Sequence, residues 1–194
     1  MQKVSCDIFC AVIDNLGDAG VCWRLARQLA TEHGWQVRLF IDDPAPITLL
    51  APDQQVVEVR HWTGDFAGIE AADIVIEAFA CNLPLAYIAA MQARKHRPVW
   101  LNLEYLCAED WVAGCHALPS PQAGLNKYFF FPGFVAGTGG LIRERDLTVP
   151  PAPTFGDTLE TSLFCYANPA LPDLLAAWRD GAERIVCHVA DGLP

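Results

Sequence analysis

The chain has 194 residues, 53% apolar and 19% charged, a balance that builds a folded core and excludes a disordered polymer. Its formal charge of −10, with only 13 Lys and Arg and no basic cluster, excludes a phosphate-neutralising surface, so no nucleic acid is expected as partner. No stretch approaches the roughly 18 apolar residues of a membrane span, and no basic segment leads into a signal-peptide core, so no membrane partner is expected either. The eight cysteines sit mostly in apolar runs without a CxxC pair. They read as buried thiols in a reducing cytoplasm, with no metal site and no cofactor.

In chain order, Val4, Ile8, Phe9, Val12 and Ile13 form an apolar run that stops at Asp14. Gly17 and Gly20 punctuate a turn, and Val21, Leu25 and Leu29 then repeat as the core stripe of a helix beginning near Gly20. A strand, turn and helix in this order put Asp14 and Asp18 at the carboxyl edge of a parallel sheet, where open α/β folds bind ligands. The turn is not a phosphate loop. It has no lysine and matches neither GxGxxG nor GxxxxGK[ST], and two carboxylates would repel a phosphate. They suit a cationic or proton-donating substrate, one carboxylate serving as base and the other orienting the group. Asp18 also fits a purely structural role as helix N-cap, worth about 1 kcal/mol.

Trp35 to Ile41 reads as a second strand, Gln55 to Arg60 as a third and Asp73 to Ile76 as a fourth. Leu83 to Ala93 has helical spacing, with Arg94, Lys95 and Arg97 at or just past its end, and Pro98 to Leu103 is a fifth strand. Glu104, Tyr105, Glu109, Asp110 and Trp111 follow on that strand's end, so they too would open at the carboxyl edge, Glu104 being directly at the strand's end like Asp14. Glu109 and Asp110 also fit an acidic helix start and Trp111 a packed aromatic, and His116 reads as a hydrogen-bonded structural histidine. Leu118 to Gly124 reads as a proline-rich loop and Lys127 to Phe131 as a strand. Gly133 to Asp146 holds four glycines in its first eight residues and fits either a surface loop or a substrate-facing lid. Strands alternating with helices imply right-handed βαβ units and a mainly parallel sheet.

Thr148 to Asp157 reads as a proline-rich linker. Beyond it come a strand at Ser162 to Tyr166, a helix at Pro172 to Asp180 and a strand at Arg184 to Val189. So short a βαβ piece cannot bury two sheet faces, so residues 150–194 are expected to be a linker and the incomplete beginning of a second domain, after a first domain at 1–149.

The string DNLGDAGVCWRLARQLA (Asp14 to Ala30) resembles the N-terminal signature of the EarP family, bacterial protein-arginine rhamnosyltransferases that modify elongation factor P. The likeness continues through LNLEYLCAEDW (Leu101 to Trp111), HALPSPQAGLNKYFFFPGF (His116 to Phe134), TGGLIRE (Thr138 to Glu144) and SLFCYANPALPDLLAAW (Ser162 to Trp178). The resemblance implies a GT-B glycosyltransferase, with an N-terminal Rossmann-like domain for the acceptor and a second one for the nucleotide sugar. It implies an arginine of elongation factor P as acceptor and dTDP-β-L-rhamnose as donor, joined with inversion. On the same basis Asp14 and Asp18 are the catalytic pair, Asp18 being the general base. Asn15, Gly17, Glu104 and Tyr105 would line the acceptor site, and Phe164 and Tyr166 the nucleobase pocket. The 194-residue chain alone is then expected to bind acceptor without turnover. A GT-B enzyme with another acceptor, or a non-catalytic module docking elongation factor P, stand as alternatives.

Overall fold

The computed structural model describes residues 3–63, 66–149, 151, 158–163, 165 and 168–189. The chain divides into two units, Met1–Leu147 and Thr148–Pro194. In the first, the elements run β1 (Ser5–Cys10), α1 (Asn15–His33), β2 (Gln36–Ile41), α2 (Ala45–Leu50), β3 (Glu58–His61), β4 (Ile74–Ala78), α3 (Leu85–Ala93), β5 (Val99–Leu103), α4 (Val112–Cys115), β6 (Pro119–Gln122) and β7 (Leu125–Phe130). They build a seven-stranded sheet of order β3-β2-β1-β4-β5-β7-β6. Every neighbouring pair is parallel except the β6–β7 hairpin. The chain winds outward from β1 in one direction, then returns to start β4 on its other side. That reversal makes the carboxyl ends of β1 and β4 the switch point where such sheets bind ligands.

The central strands are apolar nearly throughout because both faces are covered. On one face Cys6, Ile8 and Cys10 of β1 and Val37, Leu39 and Ile41 of β2 pack with Ala19, Cys22, Trp23 and Ala26 of α1. On the other, Phe9, Phe40, Phe66 and Tyr87 form an aromatic cluster, with Phe9 stacked on Phe40 at 4.7 Å between centroids. Truncating Phe9 there would cost about 3–5 kcal/mol. The buried face of α1 is thus not the expected Val21, Leu25 and Leu29 stripe, which is only partly buried. A helix lying close on a sheet selects small side chains at the contact, and Ala19, Cys22 and Ala26 meet that need. Gly34 ends α1 in the left-handed region at φ 69, donating its N–H to Leu29.

Two elements escape the sequence reading. Helix α2 follows Pro44 and carries Pro46 in its first turn, where a missing N–H is harmless. The expected loop at Leu118 to Gly124 contains β6, whose prolines are tolerated because it lies at the sheet edge. Ala123 and Gly124, at φ 51 and 72, close the hairpin.

The second unit comprises β8 (Thr158–Leu163), α5 (Leu171–Asp180) and β9 (Arg184–Val189), the two strands pairing in parallel. Strand β8 starts at Thr158 and not at Ser162, because pairing with β9 carries it through the weakly apolar Thr158 to Thr161. None of the unit's described residues is buried, and Leu159, Leu174, Leu175, Val186 and Val189 are exposed.

Candidate functional site

Helix α1 begins at Asn15, earlier than the Gly20 start expected, so Asp14 occupies the N-cap position and Asp18 lies within the first turn. This removes the N-cap reading of Asp18. Its carboxylate reaches backward instead. Oδ2 accepts the N–H groups of Ile13 and Asp14, each at 2.9 Å, much as a capping-box acid does. Oδ1 accepts the Tyr105 hydroxyl at 3.0 Å. Asp18 is 1% exposed, whereas Asp14 is on the surface. The positive end of α1 favours negative charge here.

Gly17 makes the arrangement possible. Its N–H donates to the Asp14 carbonyl at 2.6 Å, and a Cβ at this position would lie 3.2 Å from Asp14 Cγ and closer still to Oδ2. The carboxylate of Asp14 therefore lies over the bare α-carbon. The turn before it is fixed from β2, since Val12 donates its N–H to Asp42 Oδ1 at 2.8 Å. Asn15 opens α1, and its side chain lies outside the described residues.

Tyr105 is half exposed and stacks on Phe79, with centroids 4.2 Å apart and planes 10° from parallel. Its phenol is pushed up to about 12, by burial first and then by the Asp18 hydrogen bond and charge, with Asp14 and Cys10 adding to it. Glu104 keeps different company. It is half-buried, accepts the Asn102 amide and donates its own N–H to Phe130 at 2.9 Å. Burial raises its carboxyl above the ordinary range against the pull of Asn102 and Lys127. It belongs to a cluster built on Glu77, which is 1% exposed and accepts Lys127 Nζ at 3.2 and 3.3 Å and Trp100 Nε1 at 3.2 Å. The structure thus brings Asp14, Gly17, Asp18 and Tyr105 together, and holds Glu104 with the Lys127 cluster. Phe164 and Tyr166 lie outside the described residues.

Phe79, Asp42 and Glu77 were not singled out from sequence. A signal for Glu77 existed: a carboxylate in the apolar run IVIEAFA must find a partner when buried. Asp7 in SCDIFC is the same case, fully buried and paired with Arg38 at 2.6 and 2.5 Å. Nothing in the sequence flags Phe79, whose role depends on backbone angles.

The glycine-rich segment 133–146 is stitched to the outside of α1. Arg24 donates twice to Glu144, at 2.7 and 2.8 Å, Gln28 donates to the Arg143 carbonyl at 2.6 Å, and the Arg145 N–H reaches Glu32 at 2.8 Å. His116 accepts the Phe131 N–H through Nδ1 at 3.1 Å, a structural bond. Trp111, 56% exposed, meets Phe131 edge-on at 5.5 Å. Helix α4 starts at Val112, so Glu109 and Asp110 precede it. All eight cysteines are unbridged. Among the described residues no group of three or more His, Cys, Asp or Glu could hold a metal ion, and no helix is long and apolar enough to cross a membrane.

The parallel sheet, the reversal at β1 and the carboxylates set at that point are those of a Rossmann-like α/β domain, consistent with the GT-B fold that the sequence resemblance implies. Comparison with known proteins narrows the class. A family model described as "Elongation-Factor P (EF-P) rhamnosyltransferase EarP" matches residues 6–194. Two relatives named protein-arginine rhamnosyltransferase, from Pseudomonas putida and Pseudomonas aeruginosa, are 57% and 48% identical over 97% of this chain. A third, from Shewanella oneidensis, is 46% identical over the same share. A solved structure described as the structural basis for EarP-mediated arginine glycosylation of translation elongation factor EF-P is 29% identical, with a TM-score of 0.52 over 98% of this chain and 50% of that one. The chain belongs to the EarP family. It spans 57% of the length of each Pseudomonas relative.

Proposed function

We propose that this chain forms the acceptor-binding part of a protein-arginine rhamnosyltransferase, which moves L-rhamnose from dTDP-β-L-rhamnose to an arginine of elongation factor P in the cytoplasm. The observation that carries this reading is the paired carboxylates at the switch point, one exposed and one enclosed, in a family whose members bear that name. A guanidinium keeps its proton up to a pKa above about 12 and is a poor nucleophile while its charge is delocalised. Exposed Asp14 can grip it and fix the attacking nitrogen, while Asp18 is the base that takes the proton as nitrogen attacks the anomeric carbon. Direct displacement inverts that carbon, and no cofactor or metal is required. Donors for the departing diphosphate are assigned to the second domain, with Phe164 and Tyr166 at the nucleobase. Glu104 serves the site by fixing the end of β5, from which Tyr105 projects. Unbridged cysteines support a cytoplasmic setting.

The test is intact-mass spectrometry of elongation factor P after incubation with dTDP-β-L-rhamnose. A chain completed to the relatives' length should add one deoxyhexose to an arginine. The 194-residue chain should bind the factor in calorimetry and add nothing. No mass shift with the completed chain contradicts the reading, and modification of a residue other than arginine contradicts its acceptor.

A further inference from the structure

Asp18 is almost wholly enclosed, and three of its acceptor positions are taken within the protein. An ionised carboxylate offers about four acceptor positions. Two at Oδ2 are filled by the N–H groups of Ile13 and Asp14, and Oδ1 is capped by the Tyr105 hydroxyl. Only 1% of Asp18 is exposed, whereas Tyr105, the side chain bonded to its Oδ1, is 50% exposed and so open to an incoming acceptor. The phenol is also held in one place. Phe79 lies flat against it, and does so from a left-handed backbone at φ 55, with Ala80 at 53 and Asn82 at 59. An aromatic residue adopts that region only when its surroundings over-determine it. Here the Phe79 N–H bonds Leu103 at 2.7 Å, and the Asn82 N–H bonds buried Glu77 at 3.1 Å. Cys81 Sγ bonds Phe9 at 3.4 Å. The strained bend is a pedestal for Tyr105.

We infer that Tyr105 is a catalytic proton relay between the acceptor guanidinium and Asp18, held in register by Phe79 as a positioning residue. The inference rests on the rhamnosyltransferase reading. As the guanidinium nitrogen forms its bond to the anomeric carbon, the bond from that carbon to the diphosphate oxygen breaks, and its electron pair leaves with the nucleotide. The proton released by the nitrogen goes to the phenol oxygen while the phenol proton goes to Asp18 Oδ1. The phenol ends as it began, and Asp18 ends protonated. The two protons move together, so neither a phenol oxonium nor a free phenolate forms, and the carboxylate gains its proton as the attacking nitrogen loses one.

The experiment compares unsubstituted enzyme, Tyr105→Phe, Phe79→Leu, Phe79→Gly and Tyr105→Phe/Phe79→Leu in a chain completed to the relatives' length. Tyr105→Phe should lower kcat about 100-fold, the scale of a lost proton-transfer group, with the acceptor KM and Tm nearly unchanged. Rates in mixtures of light and heavy water should curve for the unsubstituted enzyme, where more than one proton moves, and become linear for Tyr105→Phe. Phe79→Leu should lower kcat about 10-fold alone and not at all in the Tyr105→Phe background. Phe79→Gly loses a partly buried ring but relieves the backbone strain, so its Tm should fall only modestly while activity falls about 10-fold or more, which separates placement of Tyr105 from folding. Tyr105→Phe with near-normal kcat, with its loss in KM alone, or with a still-curved isotope plot overturns the relay. Additive loss in the double variant overturns the role of Phe79. Absence of rhamnosylation by the unsubstituted completed enzyme overturns the parent reading and the relay with it; activity there with normal Tyr105→Phe turnover overturns the relay alone.

Discussion

Asp14 and Asp18 carry the same functional group four residues apart, and the structure gives them different surroundings. Asp14 is open to solvent above Gly17, and Asp18 is enclosed by two backbone N–H groups and a phenol. Substitution of Gly17 tests the first half of that division. In a helix Ala is better than Gly by up to about 1 kcal/mol, so Gly17→Ala should leave Tm unchanged or raise it slightly. Its methyl group would lie 3.2 Å from Asp14 Cγ and must push the carboxylate aside. Acceptor affinity should fall about 10-fold by calorimetry while thermal stability holds. A normal affinity would show that the placement of Asp14 does not matter.

At the scale of elements, the alternation of strands and helices was legible because hydrophobic period is local, and the carboxyl-edge placement of Asp14 follows from it. What escaped depends on contacts across the chain. The buried face of α1 is set by how closely it lies on β1, β6 by its place at an edge, and the Glu77–Lys127 and Asp7–Arg38 pairs by strands 50 and 31 residues apart. The glycine-rich segment offered two readings, and its ties to α1 were invisible because Arg24 and Glu144 are 120 residues apart. That tie gives a pH prediction. The Arg24 hydrogen bond holds the Glu144 carboxyl down from 4.5 to about 2. A carboxylate depressed on folding adds stability that is fully present above its unfolded value. The contribution is lost as pH falls through roughly 4.5 toward 2. The Tm advantage of unsubstituted protein over Glu144→Gln should therefore be constant from pH 7 to 5 and shrink to nothing near pH 2. An advantage independent of pH would show that the ion pair contributes nothing.

At the scale of the whole molecule, a negatively charged chain of the EarP family presents a carboxylate site at its sheet's switch point, and the proposed chemistry rests on those two facts together. The second unit buries none of its described residues, in keeping with a chain that spans 57% of its relatives' length. The most direct measurement is the arginine rhamnosylation rate of Asp18→Asn beside unsubstituted enzyme, in a chain completed to the relatives' length, with Tm recorded for both. The amide oxygen can accept the Ile13 and Asp14 N–H groups and the amide nitrogen can donate to the Tyr105 oxygen, so the fold should survive with only a modest change in Tm. Turnover should fall about 100-fold or more, because an amide cannot take a proton. Near-normal turnover, or a loss explained wholly by unfolding, would contradict the assignment of Asp18 as the base.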